Sequence, residues 1–474
     1  MQSGANRQRK FATKPLRVPV RCFTFGDMVQ SIIFILVSVA AFSYAFVQFR
    51  KVYQNVQLGK DEAVTGPTVQ RWKNMALVAM GQKKMFKRLI PAVLHLLLYV
   101  AFVFTQIELI EIFIDGIFGV HRFFAEPLGG LYIAIISTIE VLSVLALVAT
   151  VIFLIRRNLL FIPRFNKPEM EGWPKLDANL ILIFEVVLLF CIFTMNGTDR
   201  VLQGMDPEHY PAANLAVSGW LGPMVFGGMS EGALKVLERV GWWGHITMVF
   251  VFLGYLPRSK HLHILLAFPN TWFARLKPAG EMQNMPEIMN EVKSMMGLGD
   301  PDAPEPDMNA ELPEFGANDV FEMSKIDLLG AYSCTECGRC TAVCPANITG
   351  KKLSPRKIVM DLRDRSEEVG EKIRSGKVEF AKDAEQPLSA TNFDDGRTLW
   401  DFISREEIHA CTTCNACVEA CPILINPLEM IMKLRRHEIL TEAAGPQDWL
   451  PLFNSIENQQ RAWSVGTSRT AWAE

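Results

Sequence analysis

Eight of the chain's ten cysteines fall in two runs of one spacing: Cys334, Cys337, Cys340, Cys344 before Pro345, and Cys411, Cys414, Cys417, Cys421 before Pro422. Both read C-x2-C-x2-C-x3-C-P, the spacing that holds 4Fe–4S clusters. Three thiolates one short turn apart can grip three irons of a cubane, and the fourth iron needs a cysteine from elsewhere. In two-cluster proteins the fourth cysteine of each run serves the other cluster. The expected sets are therefore Cys334, Cys337, Cys340 with Cys421, and Cys411, Cys414, Cys417 with Cys344. Structural zinc prefers two separated pairs closing a tetrahedron. Disulfides need an oxidising compartment and give no reason for a duplicated spacing. The chemistry implied is one-electron transfer, and the remaining elements must place the two carriers.

The 474 residues carry 48 basic and 50 acidic side chains, a formal net charge of −2, which gives no sign of a nucleic-acid partner. Mean hydropathy is positive, and the apolar runs that cause it all lie before residue 270. Five stretches approach the roughly 20 residues a bilayer span needs: Phe25–Phe49, Leu89–Phe113, Leu131–Ile155, Asp177–Met195 and Trp242–Leu256. A sixth, Leu215–Gly228, is interrupted by Gly219, Gly222, Pro223 and Gly227 and reads as a re-entrant or surface segment. The loops Arg50–Arg88 and Arg156–Lys175 hold nine and five basic residues, and Arg258, Lys260, Arg275 and Lys277 follow the fifth span. Five spans put all three of these segments on one side, the cytoplasm. The same arrangement puts Met1–Arg21, with six basic residues and no acids, on the other. The first span is too long, and lacks the small-residue cleavage site, of a signal peptide.

Histidines and acids within the spans are the next candidates, since such groups are costly in lipid unless they have work or partners. His95 sits in the second span, and His245 and His263 at either end of the fifth. The last two are 18 residues apart, five turns of one continuous helix, so they would share a face at ~27 Å, too far apart to hold the same haem. His95, about two turns inside its span, pairs more naturally with His263, while His261 points to another face. His121 lies in the loop after the second span. Glu140 and Glu185 are intramembrane acids, read either as protonated, hydrogen-bonded groups or as carriers of quinone protons. Cys22 and Cys191 read as unliganded thiols. No Gly-rich phosphate loop or nucleophile–base set stands out, so no catalytic residue is assigned.

The fifth span, with its two histidines, a proline between them and an aliphatic residue after the second, resembles the last helix of the gamma subunit of respiratory nitrate reductase. That resemblance implies a five-helix bundle that binds b haems and exchanges electrons with quinol. His95, His245 and His263 fall on ligand positions of that family, and Thr105 stands where a fourth would be. It implies an inner haem b on His95 and His263. A second, outer haem would rest on His245, with His121 the candidate to complete it.

After each Cys-Pro a helix start follows: Ser354-Pro355, and Asn426-Pro427 with Glu429 completing a capping box. The insert between the two runs is polar and shows no strand alternation, which favours an α-helical ferredoxin. Tyr332–Leu440 resembles the dicluster ferredoxin component of heterodisulfide reductase, through Cys-Thr-Glu-Cys-Gly-Arg-Cys, Ser354-Pro355-Arg356-Lys357 and Cys-Thr-Thr-Cys-Asn-Ala-Cys. Electron-transfer-flavoprotein:menaquinone oxidoreductases are similar in both halves, including Ser259-Lys-His-Leu-His-Ile, and continue into catalytic repeats containing Cys-Cys-Gly that are not found in these residues.

The expected fold is all-α: a five-helix transmembrane bundle (1–270), a linker (271–325), an α-helical dicluster ferredoxin domain (326–440) and a tail (441–474). The expected function is a multi-pass electron-transfer subunit of a quinone-linked oxidoreductase in a bacterial or archaeal cytoplasmic membrane. It would relay electrons between menaquinone or ubiquinone, b haem and two 4Fe–4S clusters facing the cytoplasm. The partner would be a soluble, cysteine-rich catalytic subunit with Cys-Cys-Gly repeats. The alternative is a membrane anchor with structural clusters and no quinone chemistry. A redox sensor, a third reading, would call for a signalling domain.

Overall fold

A computed structural model describes residues 25–207, 210, 215–278, 280–298, 315–383, 386 and 388–462. Cys22, the basic tail before it and the linker centre Ala303-Pro-Glu-Pro-Asp lie outside these residues. Helices account for the described elements, and β pairing among them is limited to isolated bridges at Lys60–Ser324 and Ala381–Phe393. The all-α expectation holds.

Five helices are long and apolar enough to cross a membrane. They are α1 (Phe25–Val56), α2 (Leu89–Phe118), α3 (Gly130–Asn158), α4 (Trp173–Met205) and, after the short α5 (Ser218–Phe226), α6 (Glu231–Tyr255). The glycine- and proline-broken sixth candidate forms only α5, nine residues with Pro223 inside, far short of a span.

Contacts divide the chain into two compact units. The first comprises Met1–Phe46, Val93–Leu160 and Asn179–Tyr255. Its core packs Phe34, Ile112, Met195, Trp242, Ile246 and Phe250, drawn from α1, α2, α4 and α6. Between helices of this apolarity, close van der Waals packing rather than withdrawal from water holds such a core. The helices α4 and α6 meet at Gly241, where a Cβ would stand 2.8 Å from Met195 N and 2.9 Å from the Cys191 carbonyl oxygen. Cys191 therefore serves as part of a helix contact.

The second unit comprises Val47–Ala92, Phe161–Ala178 and Leu256–Glu474. It contains α7 (His263–Phe273), α8 (Lys325–Ser333), α9 (Pro355–Ser375) and α10 (Pro427–Arg436). Ser354 caps α9 by accepting from Lys357 N, with Pro355 at the first turn, and Asn426 caps α10 by accepting from Glu429 N. Only that half of the expected box at α10 forms, because Glu429 is turned towards Arg275 and Arg436. The core joins Leu328, Ile358, Leu362, Ile431 and Leu434 to Ala317, Val320 and Met323, which come from the stretch read as linker. One further helix, Pro286–Met295, forms within that stretch. Arg365 is fully buried and donates to Asp319 and, through two nitrogens at 2.7 and 2.9 Å, to Asp395.

One expectation is corrected here. His245 and His263 do not share a continuous helix. After α6 a 3-10 turn over Leu256–Arg258 gives way to extended backbone at Ser259 (φ −112°, ψ 150°), and α-helix resumes only at His263. Asp177 holds the break, accepting from Ser259 Oγ at 2.7 Å and Lys260 N at 3.0 Å. The five-turn spacing therefore does not fix a shared face.

Candidate iron-sulfur sites

The two cysteine loops are built alike. In the first, Glu336 and Gly338 have φ of +53° and +68°. In the second, Thr413 and Asn415 have φ of +54° and +59°. The left-handed residues fold each loop tightly enough that Glu336 N and Thr413 N donate to the sulfurs of Cys334 and Cys411, both at 3.4 Å. Gly338 has a second reason to lack a side chain, since a Cβ would lie 2.5 Å from Arg356 Nη1. Asn415 takes the equivalent place because asparagine tolerates the left-handed region.

Two cavities open behind these loops. Cys334, Cys337, Cys340 and Cys421 line one, and Cys344, Cys411, Cys414 and Cys417 line the other. Much of the remaining wall is apolar, with Val359, Ile423 and Ile425 in the first and Leu353, Leu428 and Ile431 in the second. Among the described residues no three His, Cys, Asp or Glu side chains converge to hold a single metal ion. Four thiols spread around one apolar cavity instead suit a polynuclear cluster. Burial pushes Cys334 and Cys417 up to about 12 and Cys421 to about 11, and raises Cys411 as well. Such thiols give up their protons when they take iron, so loading releases protons.

Cations stand beside both cavities. Arg339 and Arg356 line the first, and Arg356 donates to the Arg164 carbonyl and to Glu169 Oε1, each at 2.6 Å. Arg435 donates to the carbonyls of Ile408 and Cys411 at 2.6 and 2.9 Å. Positive charge and donors near the sulfurs favour the reduced cluster. The two sites differ in exposure: Cys414 is exposed, whereas every cysteine of the first set is buried or half-buried.

Within the second unit the first loop packs on segments that continue directly from the spans. Lys260 forms an ion pair with Glu336, Ser333 Oγ donates to the Leu266 carbonyl at 3.3 Å, and Asn270 Nδ2 to the Ile423 carbonyl at 2.6 Å. His263 belongs to the same segment, and its Nδ1 lies 3.0 Å from the Lys260 carbonyl. That contact makes Nδ1–H the donor and puts the lone pair on Nε2, as in many metal-bound histidines. His245, in the first unit, is buried and has its Nδ1 3.4 Å from the Leu188 carbonyl, the same tautomer logic. His95 also falls in the first unit. The donor chemistry of His245 and His263 fits an axial ligand.

Two further sequence candidates of the bundle, His121 and Glu140, have different surroundings. His121 Nε2 lies 3.0 Å from Asp199 Oδ1. Glu140 Oε2 accepts from Val217 N at 2.8 Å and Ser218 N at 3.1 Å, so this carboxyl caps the start of α5. Both join a buried network around Arg122 that includes Glu108, Glu111, Asp115 and Asp199. Sequence reasoning missed these four acids. Three of them repeat at helical spacing along α2 (Glu108, Glu111, Asp115), a legible sign of a polar face inside an apolar span.

Comparison with known proteins agrees with this geometry. Residues 333–425 match the 4Fe-4S dicluster domain family. The chain is 27% identical over 468 residues to the probable iron-sulfur-binding oxidoreductase FadF of Bacillus subtilis, covering 95% of this chain and 61% of that protein. It is 25% identical over 476 residues to the EtfAB:quinone oxidoreductase of Syntrophomonas wolfei, covering 97% of this chain and 61% of that protein. A 161-residue portion, 32% of this chain, is 35% identical to 21% of a probable membrane-anchored ferredoxin of Chromohalobacter salexigens. The chain thus spans less than two thirds of the length of these relatives. No solved structure matches it. The chain carries a 4Fe-4S dicluster domain and five helices long and apolar enough to cross a membrane, and it is similar to oxidoreductases and to a membrane-anchored ferredoxin.

Proposed function

We propose that this chain relays electrons between the quinone pool and a soluble catalytic partner. The observation that carries the reading is the pair of four-cysteine cavities in one compact unit, the first packed on the segment that bears His263. The clusters supply one-electron transfer when bound. Cys334, Cys337, Cys340 and Cys421 would hold one, and Cys344, Cys411, Cys414 and Cys417 the other. The likeness to a protein named EtfAB:quinone oxidoreductase supports quinone as the membrane reactant.

Haem b would be held by His95 and His263, with His245 and His121 the candidates for an outer site. The backbone carbonyls at Lys260 and Leu188 would orient His263 and His245 for that task. The order of the two cysteine sets follows from their surroundings. Residues beside the first cavity, Ser333, Glu336 and Ile423, contact Leu266, Lys260 and Asn270, and the second set presents Cys414 to solvent. The soluble partner, a cysteine-rich chain or module of the Cys-Cys-Gly type, would dock at Cys411–Cys417. The second unit would face the cytoplasm of a bacterial or archaeal cell, because the basic loops belong to it.

Purification in mild detergent with iron, sulfide and haem quantitation and a quinone-exchange assay tests this. The expected result is about eight irons and eight acid-labile sulfides per chain, a b-type spectrum, and cluster absorbance that responds to quinol or quinone. Full clusters that exchange no electrons with either would establish the anchor reading instead.

A further inference from the structure

At the end of the bundle where α2 and α4 finish and α3 and α6 begin, the described residues of the first unit enclose six carboxyl groups. Glu108, Glu111, Glu140, Asp199 and Glu238 are each 1% exposed or less, and Asp115 is 7% exposed. Facing them are the guanidiniums of Arg122 and Arg239, the imidazole of His121, and the neutral Asn196, Tyr132 and Tyr210. Leaving aside Asp199 and its partner His121, five carboxylates among the described residues exceed the two guanidiniums by three. A buried net charge of that size is expensive, and the usual remedy is protonation.

The hydrogen bonds show which group is least suited to remain ionised. Asp115 accepts from Arg122 N and Phe123 N at 2.8 and 3.0 Å. Glu111 accepts from Phe124 N and Tyr132 Oη at 2.9 and 2.8 Å. Glu140 caps α5, Asp199 is held by His121 and Arg122 at 3.0 and 3.1 Å, and Glu238 is paired with Arg239. Among the described residues Glu108 has only Arg122 Nη1 at 3.5 Å and Asn196 Nδ2 at 3.4 Å, both on Oε1. Its Oε2 is buried with no hydrogen-bond partner.

We propose that the carboxyl cluster around Arg122, with Glu108 at its centre, is a proton-holding site that exchanges protons with quinol and quinone. This rests on the quinone reading of the function. Oxidising one quinol breaks two O–H bonds, sends two electrons into the relay and leaves two protons. Quinone reduction would draw protons from the protonated carboxyls, and the two protons of quinol oxidation would return to the carboxylates so emptied. Arg122 holds the acids together and keeps the unprotonated ones bearable.

Infrared difference spectroscopy of the purified full chain in detergent, without quinone, reads the protonated carboxyl directly. The wild-type chain should show a carboxylic-acid C=O band at neutral pH that shifts in heavy water, and Glu108→Gln, which mimics the protonated group, should remove part of it. No such band in wild type, or a band unchanged in Glu108→Gln, overturns the proposal. In a second arm, Glu108→Gln should slow quinol-driven cluster reduction on the order of 10²-fold and flatten its pH profile, with dithionite reduction unaltered. An unchanged rate and profile also overturns the proposal. If the wild-type chain exchanges electrons with no quinone, the relay reading fails, and the carboxyl band alone then decides whether protons are held here.

Discussion

Glu336 and Thr413 occupy the same place in the two cysteine loops, at φ of +53° and +54°, each donating its backbone N–H to the sulfur two residues earlier. The duplication seen in the cysteine spacing thus extends to the backbone. Neither residue is a glycine, and the left-handed region costs an L-residue ~1–2 kcal/mol. The loops carry that strain to aim an N–H at a sulfur.

Thr413→Gly should relieve the strain and keep the N–H, so the loaded chain should bind both clusters and melt at or above the wild-type temperature. The gain is limited to ~1 kcal/mol because glycine also loses more freedom on folding. Thr413→Pro removes the donor and also forbids the φ of +54°, so it should lose the second cluster selectively. Thermal melting with iron quantitation reads both, and a Thr413→Pro chain with a full complement of iron would show that the N–H does not matter.

Cys421→Ser should perturb the cluster held with Cys334, Cys337 and Cys340, because Cys421 lines their cavity rather than that of its own run. Electron paramagnetic resonance of the reduced chain should show one altered signal. Its partner variant, Cys344→Ser, should alter the other. Each substitution affecting its own run's cluster would sink the crossed assignment.

The spacing of the cysteines, the five apolar stretches and the helix starts at Ser354 and Asn426 were legible because each is local, set by residues within one or two turns. The break at Ser259 was not. It depends on Asp177, 82 residues earlier, whose carboxyl takes two donors from the Ser259–Lys260 backbone and side chain. The Arg122 network escaped for the same reason, as its acids come from several helices and only their assembly shows the excess charge. Val320 and Met323 lie in a stretch too polar on average to look like core, yet both are buried.

Asp395 lies against Arg365 and Lys372, whose nitrogens stand 2.7 and 2.8 Å from its Oδ2. Burial works to raise its pKa, but these two cations hold it well below the usual carboxylate range. A depressed folded pKa gives stability that is fully present above the unfolded value of ~3.9 and is lost as pH falls through the folded one. Asp395→Asn should therefore cost ~2–3 kcal/mol near neutrality, with the gap to wild type closing in acid. A gap that stays constant down to strongly acidic pH would show that the carboxylate's charge plays no part.

The haem reading makes the most exposed prediction, because the structure removes one of its original supports. With the helix broken at Ser259, the pairing of His95 with His263 no longer follows from a five-turn spacing. It rests on the family resemblance and on the position of His95 about two turns inside its span, while the His263 Nδ1 contact to the Lys260 carbonyl at 3.0 Å bears on His263 alone. If that contact orients a ligand, His263→Ala and His95→Ala should each abolish the same b-type absorbance, while His261→Ala leaves it. A haem on His245 should respond to His245→Ala alone, with the inner signal intact. The comparison must be made in membranes with equal amounts of chain and full cluster iron, so that misfolding is not read as ligand loss. A normal b-type spectrum after either His95→Ala or His263→Ala would remove that pair from the relay, and the clusters would then have to meet quinone by another route.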